Sequence, residues 1–171
     1  WFVGQREFEL AELKLLVDAV QSSRFLTQRK SNALIRKLES LASEHQARQL
    51  QRQVYVDRRI KTMNESIFYN VDRLHGAIAA NRVITFRYFE VNMAKERVYR
   101  REGSLYRVTP YGLIWDNENY YLAGWDHIRE DVRHYRVDKM EGIQLTPERG
   151  RERGGWDPEG YTRRHFGMYA G

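Results

Sequence analysis

The spacing of apolar residues changes at Arg82, and this change constrains the fold more than any other feature of the sequence. Before Arg82, apolar side chains recur every three or four residues, as on one face of an amphipathic helix. After it they alternate with polar ones, as in a strand with one buried face. Helices in the first part and strands in the second predict an α+β protein.

Four helices are predicted before this change. The first covers residues 9–22, and the second begins after Thr27, a suitable N-cap residue. The third begins at a capping box that opens with Ser43. The clearest helix covers residues 66–80, and we expect its apolar stripe to be buried. The stripe consists of Ile67, Val71, Leu74 and Ile78.

Six or seven short strands are predicted after Arg82, separated by turns such as Asp116-Asn117-Glu118-Asn119. They cover residues 82–89, 97–100, 105–109, 112–115, 120–125, 132–137 and 142–145. So many short strands in succession predict a small, strongly bent antiparallel sheet or barrel. We also predict a strand-like connector at 54–56 and a short closing helix at 158–166.

Composition and the absence of known motifs exclude several classes of function. The chain contains no cysteine, which excludes disulfides and thiolate chemistry and fits the cytoplasm. No apolar stretch approaches the roughly 18 residues of a membrane span. The net charge of +6 suits an anionic partner. Phosphate-binding loops, metal-ligand spacings and nucleophile motifs are absent from the sequence. We therefore predict no enzyme, no metal and no cofactor.

Three short segments follow one another in the predicted strands. They are Thr109-Pro110, Tyr120-Tyr121-Leu122 and Tyr135-Arg136-Val137-Asp138-Lys139-Met140. Their order and spacing over about residues 82–146 resemble the WYL domain of bacterial transcriptional regulators. Here the Trp of the family's tripeptide has become Tyr120. The resemblance implies a small Sm-like or SH3-type barrel that binds a ligand and controls an attached helix-turn-helix.

The resemblance also suggests how the chain is divided. Residues 1–65 would be a helical linker with the end of a winged helix, and this region could pair two chains into a homodimer. Residues 66–146 would be the WYL domain, and residues 147–171 a loop and the start of a C-terminal extension. Because the chain opens in mid-pattern at Trp1, we expect it to be part of a longer protein and to lack most of the DNA-binding domain.

Strand alternation predicts one candidate ligand-binding surface. If Leu122 and Tyr135 face the core, their neighbours face outwards. The outward set is Arg107, Thr109, Tyr121, His134 and Arg136. Guanidinium groups bind phosphate in bidentate fashion, and an aromatic ring can stack on a base. Alternatively, Arg136 simply pairs with Asp138, and Tyr121 is an ordinary half-buried aromatic of the sheet.

Two functions follow from this surface. In the first, the domain senses an anionic ligand such as a nucleotide or oligonucleotide, and DNA is contacted only through the missing helix-turn-helix. In the second, the barrel itself binds single-stranded nucleic acid as Sm-like modules do. Neither function involves a membrane.

Overall fold

The computed structural model describes residues 8–50 and 61–166. The chain divides into two compact units, Trp1–Glu65 and Ser66–Gly171. The predicted connector at 54–56 lies outside the described residues. Within the described ranges, no helix is long and apolar enough to cross a bilayer.

The first unit contains the three predicted helices. They are α1 (Leu10–Ser22), α2 (Gln28–Glu39) and α3 (Glu44–Gln49). The predicted N-cap of α2 is confirmed, because the Thr27 side chain accepts a hydrogen bond from the backbone N–H of Lys30 at 3.1 Å. Leu13, Val17 and Leu26 are buried in this unit.

A lysine holds the end of α1 in place. The Nζ of Lys61 donates to the backbone oxygens of Val20 and Ser23 at 3.1 and 3.0 Å, and to the Ser31 hydroxyl at 2.8 Å. An ammonium group satisfies carbonyls at a helix C-terminus that have no intrahelical partner. Burial lowers the pKa of Lys61.

The second unit begins with the fourth predicted helix, α4 (Ser66–Ala80). Six strands and a closing helix follow, and most of these elements were predicted. They are β1 (Arg82–Val91), β2 (Arg97–Tyr99), β3 (Tyr106–Asp116), β4 (Asn119–Asp126), β5 (Asp131–Arg136), β6 (Met140–Arg149) and α5 (Pro158–His165).

One strand prediction was wrong. Residues 105–109 and 112–115 were predicted as separate strands, but they form the single strand β3. The pairing of β3 with β4 shifts register between Pro110 and Gly112, so an irregularity absorbs the proline. Gly124 lies opposite, where a Cβ would come within 2.5 Å of the Thr109 carbonyl oxygen.

The sheet curls without closing. Its strand order is β2-β1-β3-β4-β5, and β6 also pairs with β1. Ile84 and Thr85 of β1 pair with β3 at one edge and with β6 at the other. Every pair is antiparallel. Since β5 and β6 do not pair with each other, the predicted small barrel takes the form of a half-barrel.

The helix α4 packs on the concave face of this half-barrel. Leu74 and Ala77 are fully buried there, in one cluster with apolar residues from the strands. The Asn70 side chain donates to the backbone oxygens of Val137 and Met140 at 3.4 and 3.0 Å, which fixes α4 against the turn at Val137–Lys139. The predicted burial of the α4 stripe is confirmed at Ile67 and Leu74.

The closing helix α5 covers the convex face. Tyr161 of α5 packs with Ile114 and Ala123 in a second cluster, separate from the concave core. Trp156, which precedes α5, lies over Gly112, where a Cβ would come within 3.3 Å of the indole ring. The half-barrel is therefore covered by a helix on each face.

Candidate ligand-binding site

An arginine-lined cleft opens at the mouth of the half-barrel, on the concave side. Its volume is about 230 Å³. It is formed by the end of β1, the turn at Arg100–Gly103, the start of β3, the turn between β4 and β5, and β5 itself. Its lining residues are Tyr88, Arg100, Arg101, Tyr106, Asp126, Arg129, Arg133, His134 and Tyr135.

The carboxylate of Asp126 organises the floor of this cleft. It is almost fully buried and accepts hydrogen bonds from the Tyr135 hydroxyl at 2.8 Å and from the backbone N–H groups of Ile128 and Arg129 at 2.8 and 3.1 Å. Burial by itself raises the pKa of Asp126, but these hydrogen bonds and the charge of Arg101 outweigh it and lower the pKa. Asp126 is therefore a carboxylate whose hydrogen bonds shape the turn that carries Arg129.

Arg101 lies across an aromatic ring. Its Cζ is 4.1 Å from the centroid of Tyr106, and its Nη2 is 3.3 Å from a carboxylate oxygen of Asp126. The backbone φ angles of Arg101 and Glu102 are +51° and +53°, in the left-handed region. Non-glycine residues adopt this region at a cost of about 1–3 kcal/mol each where the surrounding structure enforces it. The turn is strained in the conformation that places Arg101 on Tyr106.

The other three arginines differ in their partners. Arg100 pairs with Glu90, and Arg133 pairs with Asp131 at 3.5 Å between two exposed side chains. The guanidinium of Arg129 is exposed and forms no hydrogen bond or ion pair within the described part of the chain. Arg129 is thus a cation at the cleft whose guanidinium is paired with no carboxylate among the described residues.

The five residues predicted as the site fall into two groups. Tyr121, His134 and Arg136 lie together on the convex face, where Tyr121 pairs with Arg136 across β4 and β5. His134, on the edge strand β5, also lines the cleft. Thr109 pairs with Trp125 of β4. Trp125 is four residues beyond Tyr121, so Thr109 lies about 13 Å from Tyr121 along the sheet. Arg107 lies beyond it towards the same end of the sheet, so the structure does not bring all five together.

The convex-face group is largely engaged by neighbouring residues. The Tyr121 ring lies 4.8 Å from that of Phe166, and Nδ1 of His134 is 2.9 Å from the Tyr161 hydroxyl. Arg136 donates from Nε and Nη2 to both oxygens of Asp138 at 3.0 and 2.8 Å, and from Nη2 to the Asn119 side chain at 3.2 Å. The hydrogen bonds from Arg136 to Asp138 raise its pKa.

The other two predicted site residues, Arg107 and Thr109, also contact neighbouring side chains or backbone. Arg107 forms an ion pair with Glu148. Thr109 is fully buried rather than at the surface, and its hydroxyl accepts a hydrogen bond from the backbone N–H of Arg151 at 3.0 Å. The same hydroxyl is 2.8 Å from Nε2 of His127. The segment after β6 covers Thr109, a long-range contact that strand alternation does not reveal.

The sequence analysis missed the arginines of the cleft because they lie in turns and at strand ends. Arg101 and Arg129 belong to turn segments without a regular period, and Arg100 is the last residue of the strand predicted at 97–100. One signal was present at Arg133, which shares a strand face with Tyr135. A cation on the face that points to an aromatic core is unusual, and it indicates the open end of that core. The described residues bring no three histidine or acidic side chains together as a metal site would require.

Comparison with known proteins gives a match to one domain family. Residues 69–145 match the family model of the WYL domain. No curated protein matches the chain. Among solved structures, it is similar to proteasome accessory factor B/C (PafBC) of Arthrobacter aurescens, with 19% identity and a TM-score of 0.44. That match covers 88% of this chain and 22% of the other, so the chain spans about a fifth of the protein it resembles.

Proposed function

We propose that the chain is the effector-sensing part of a bacterial transcriptional regulator, acting in the cytoplasm without catalysing a reaction. Its WYL domain binds an anionic ligand, and binding changes how an attached helix-turn-helix engages DNA. The observation that carries this proposal is the arginine-lined cleft. Four arginines surround a single lining carboxylate, and the Arg129 guanidinium has no partner in the described part of the chain.

The charge balance of the cleft supports an anionic ligand. Four arginines and Asp126 line it, and two further carboxylates, Glu90 and Asp131, pair with Arg100 and Arg133 at its rim. Four positive and three negative charges leave an excess of 4 − 3 = +1. An anion that enters gains charge-assisted hydrogen bonds from guanidinium groups, which are about twice as strong as neutral ones.

The first unit supports a role in pairing two copies of the chain. Leu15 on α1 is 71% exposed and Leu41 after α2 is 54% exposed. Large apolar side chains exposed on α1 and just after α2 are suited to a symmetric interface between two copies of the unit. We propose a homodimer formed through this unit, and light scattering during size-exclusion chromatography tests it. A mass near 20.5 kDa would contradict the dimer.

Binding measurements test the sensing function. We expect 5′-mononucleotides or short single strands to bind the purified chain by isothermal titration calorimetry. The variant Arg129→Ala should bind about ten- to a hundredfold more weakly, as expected for the loss of a charge-assisted contact. Arg164→Ala on α5 removes the same charge outside the cleft and serves as the matched control. Equal affinities for the wild type and Arg129→Ala would contradict the proposal.

The same titrations address the second function, direct binding of single-stranded nucleic acid. A direct binder holds a generic strand along a surface, and its affinity falls steeply with salt in proportion to the number of phosphates contacted. A sensor with one small cleft contacts few phosphates and has a shallow salt dependence. A steep dependence, together with no binding of mononucleotides, would favour the direct binder.

A further inference from the structure

We propose that the cleft binds a phosphate monoester and recognises the phosphate rather than the base attached to it. This inference rests on the proposed function and names the chemical group that the sensor detects. Four features of the cleft support it: the free cation, the weakly held cations, the covered aromatic faces and the small volume.

The first feature is the way Arg129 is anchored. Its backbone N–H is held by Asp126 at 3.1 Å, and the next backbone N–H, that of Glu130, donates to the Asp126 carbonyl oxygen at 2.8 Å. Glu130 has a φ of +54°, which closes this turn tightly. The backbone of Arg129 is therefore fixed, while its guanidinium is unpaired among residues 8–50 and 61–166. Such a side chain can bind an incoming anion without first breaking an ion pair.

The second feature is that the neighbouring cations are held weakly. The pair between Arg133 and Asp131 spans 3.5 Å between exposed side chains, and exposed pairs of this kind contribute little to stability. The contact between Arg101 and Asp126 is long, at 3.3 Å, and Nη1 of Arg101 has no hydrogen-bond partner among the described residues, so this guanidinium is incompletely hydrogen-bonded. A phosphate monoester carries close to two charges at neutral pH, whereas a phosphodiester carries one. The monoester therefore competes better for Arg101, Arg129 and Arg133.

The third feature excludes a stacked base. The rings of Tyr88, Tyr106 and Tyr135 pack edge-to-face against one another, with centroids 5.5 to 5.9 Å apart. Each of these residues is at most 9% exposed, and Arg101 covers the Tyr106 ring from the cleft side. A base could stack on these three rings only if the aromatic core opened, and the fourth ring at the cleft, His134, is in contact with the rings of Tyr161, His165 and Phe166. The tyrosines form the wall of the cleft, and the arginines supply its binding groups.

The fourth feature is size. A volume of about 230 Å³ is smaller than the roughly 300–1,000 Å³ of sites that enclose drug-sized ligands. The cleft therefore holds one charged group and the part of the ligand next to it. The monoester could be a free metabolite or the 5′-phosphate at the end of a strand, and the chemistry at the cleft is the same.

Calorimetry with a matched set of ligands tests the inference. The set contains adenosine 5′-monophosphate, ribose 5-phosphate, adenosine, and a dinucleotide without a terminal phosphate. We expect the dissociation constants of the two monoesters to agree within about threefold. Adenosine and the dinucleotide should bind at least tenfold more weakly. Arg129→Ala should weaken both monoesters by the same factor, about ten- to a hundredfold, whereas Arg164→Ala should weaken neither.

The outcomes separate this inference from the function on which it rests. If the mononucleotide binds but ribose 5-phosphate does not, the base is recognised and the inference is overturned, while the sensing function stands. A dinucleotide that binds as tightly as the monoesters also overturns it. If none of these ligands and no oligonucleotide binds, the sensing function itself fails.

A last pair of ligands identifies the source of the phosphate. Thymidine hexanucleotides are compared with and without a 5′-phosphate. If only the phosphorylated strand binds, and as tightly as the monoesters, strand ends are a source. If neither strand binds while the monoesters do, the source is a free metabolite. Both results support the inference, whereas equal tight binding of the two strands contradicts it.

Discussion

At the scale of single residues, the surroundings of each arginine decide what it can do. Arg136 and Arg129 carry the same group within one domain. Arg136 is held by both oxygens of Asp138 and by Asn119, whereas the Arg129 guanidinium has no partner within the described residues. The contrast arises because Asp138 turns both oxygens towards Arg136, whereas Asp131, which is likewise two residues from Arg129, pairs with Arg133. Asp126 holds Arg129 only through its backbone N–H.

Arg136→Ala distinguishes the convex-face prediction from the cleft. The side chain is 37% exposed, so losing its pair with Asp138 should lower the free energy of unfolding by no more than about 1 kcal/mol. Urea denaturation measures this change. If the variant also loses affinity for a ligand bound by the wild type, the convex-face residues contribute to the site. If affinity falls only in Arg129→Ala, the cleft is the site.

At the scale of secondary-structure elements, two helices cover the half-barrel with different chemistry. The contacts of α4 are with the concave core, where Leu74 and Ala77 are fully buried. The contacts of α5 are with a smaller cluster and with a polar group, His134. We therefore expect α4 to depend on packing and α5 to respond to pH.

Leu74→Ala tests the packing of α4. Removing a fully buried leucine loses its transfer free energy and leaves a cavity, so the free energy of unfolding should fall by about 2–5 kcal/mol. His75→Ala changes the next residue, which is exposed, and should change stability by less than about 0.5 kcal/mol. Urea denaturation monitored by circular dichroism measures both. Similar losses in the two variants would contradict this packing.

Acidification tests the docking of α5. Burial, His165 and Arg133 lower the pKa of His134. A base with a lowered pKa favours the docked state while it is neutral, so the stabilisation is complete above about pH 6.5. It is lost as the pH falls below that value, because the undocked state takes up the proton first.

Hydrogen exchange of residues 157–166 measures this loss. Exchange should speed up below about pH 6.5, beyond the intrinsic pH dependence, by at most about tenfold per pH unit for one proton. The other titratable or charged groups near the contact are His165, Tyr161, Asp131, Arg133 and Arg164. Burial raises the pKa of Tyr161 to about 12, so its hydroxyl does not titrate in this range. His134→Gln should remove the response, and an unchanged response would assign it to another group.

At the scale of the whole molecule, charge distribution limits what the chain can bind. The net charge of +6 is spread over 29 basic and 23 acidic residues. Duplex-DNA readers usually concentrate basic residues on one face or helix. The described arginines include several that are paired locally, such as Arg97 with Glu141 and Arg107 with Glu148.

We therefore expect no operator-selective binding of duplex DNA by these 171 residues. Gel-shift titration with a pool of random duplexes measures it, and weak binding should be independent of sequence and abolished by moderate salt. Selection of one duplex from the pool at nanomolar concentration would contradict this expectation.

The sequence by itself determined the α+β class, the helices, nearly all the strands, and which side of β4 and β5 faces the core. Each of these depends on local periodicity, as at Leu122 and Tyr135, because side chains three or four residues apart on a helix, or two apart on a strand, share a face. The family resemblance came from short segments in a fixed order. None of these inferences requires knowledge of distant contacts.

Only the tertiary structure decided where a ligand could bind. Thr109 is covered by a segment about forty residues further along the chain, and Tyr121 is covered by Phe166. The cleft arises because Arg101, Arg129 and Arg133 converge from separate turns and strands on Asp126 and the tyrosine core. The path of the curled sheet determines which turns meet at the mouth of the half-barrel. The alternation of side chains along a single strand contains no information about that path.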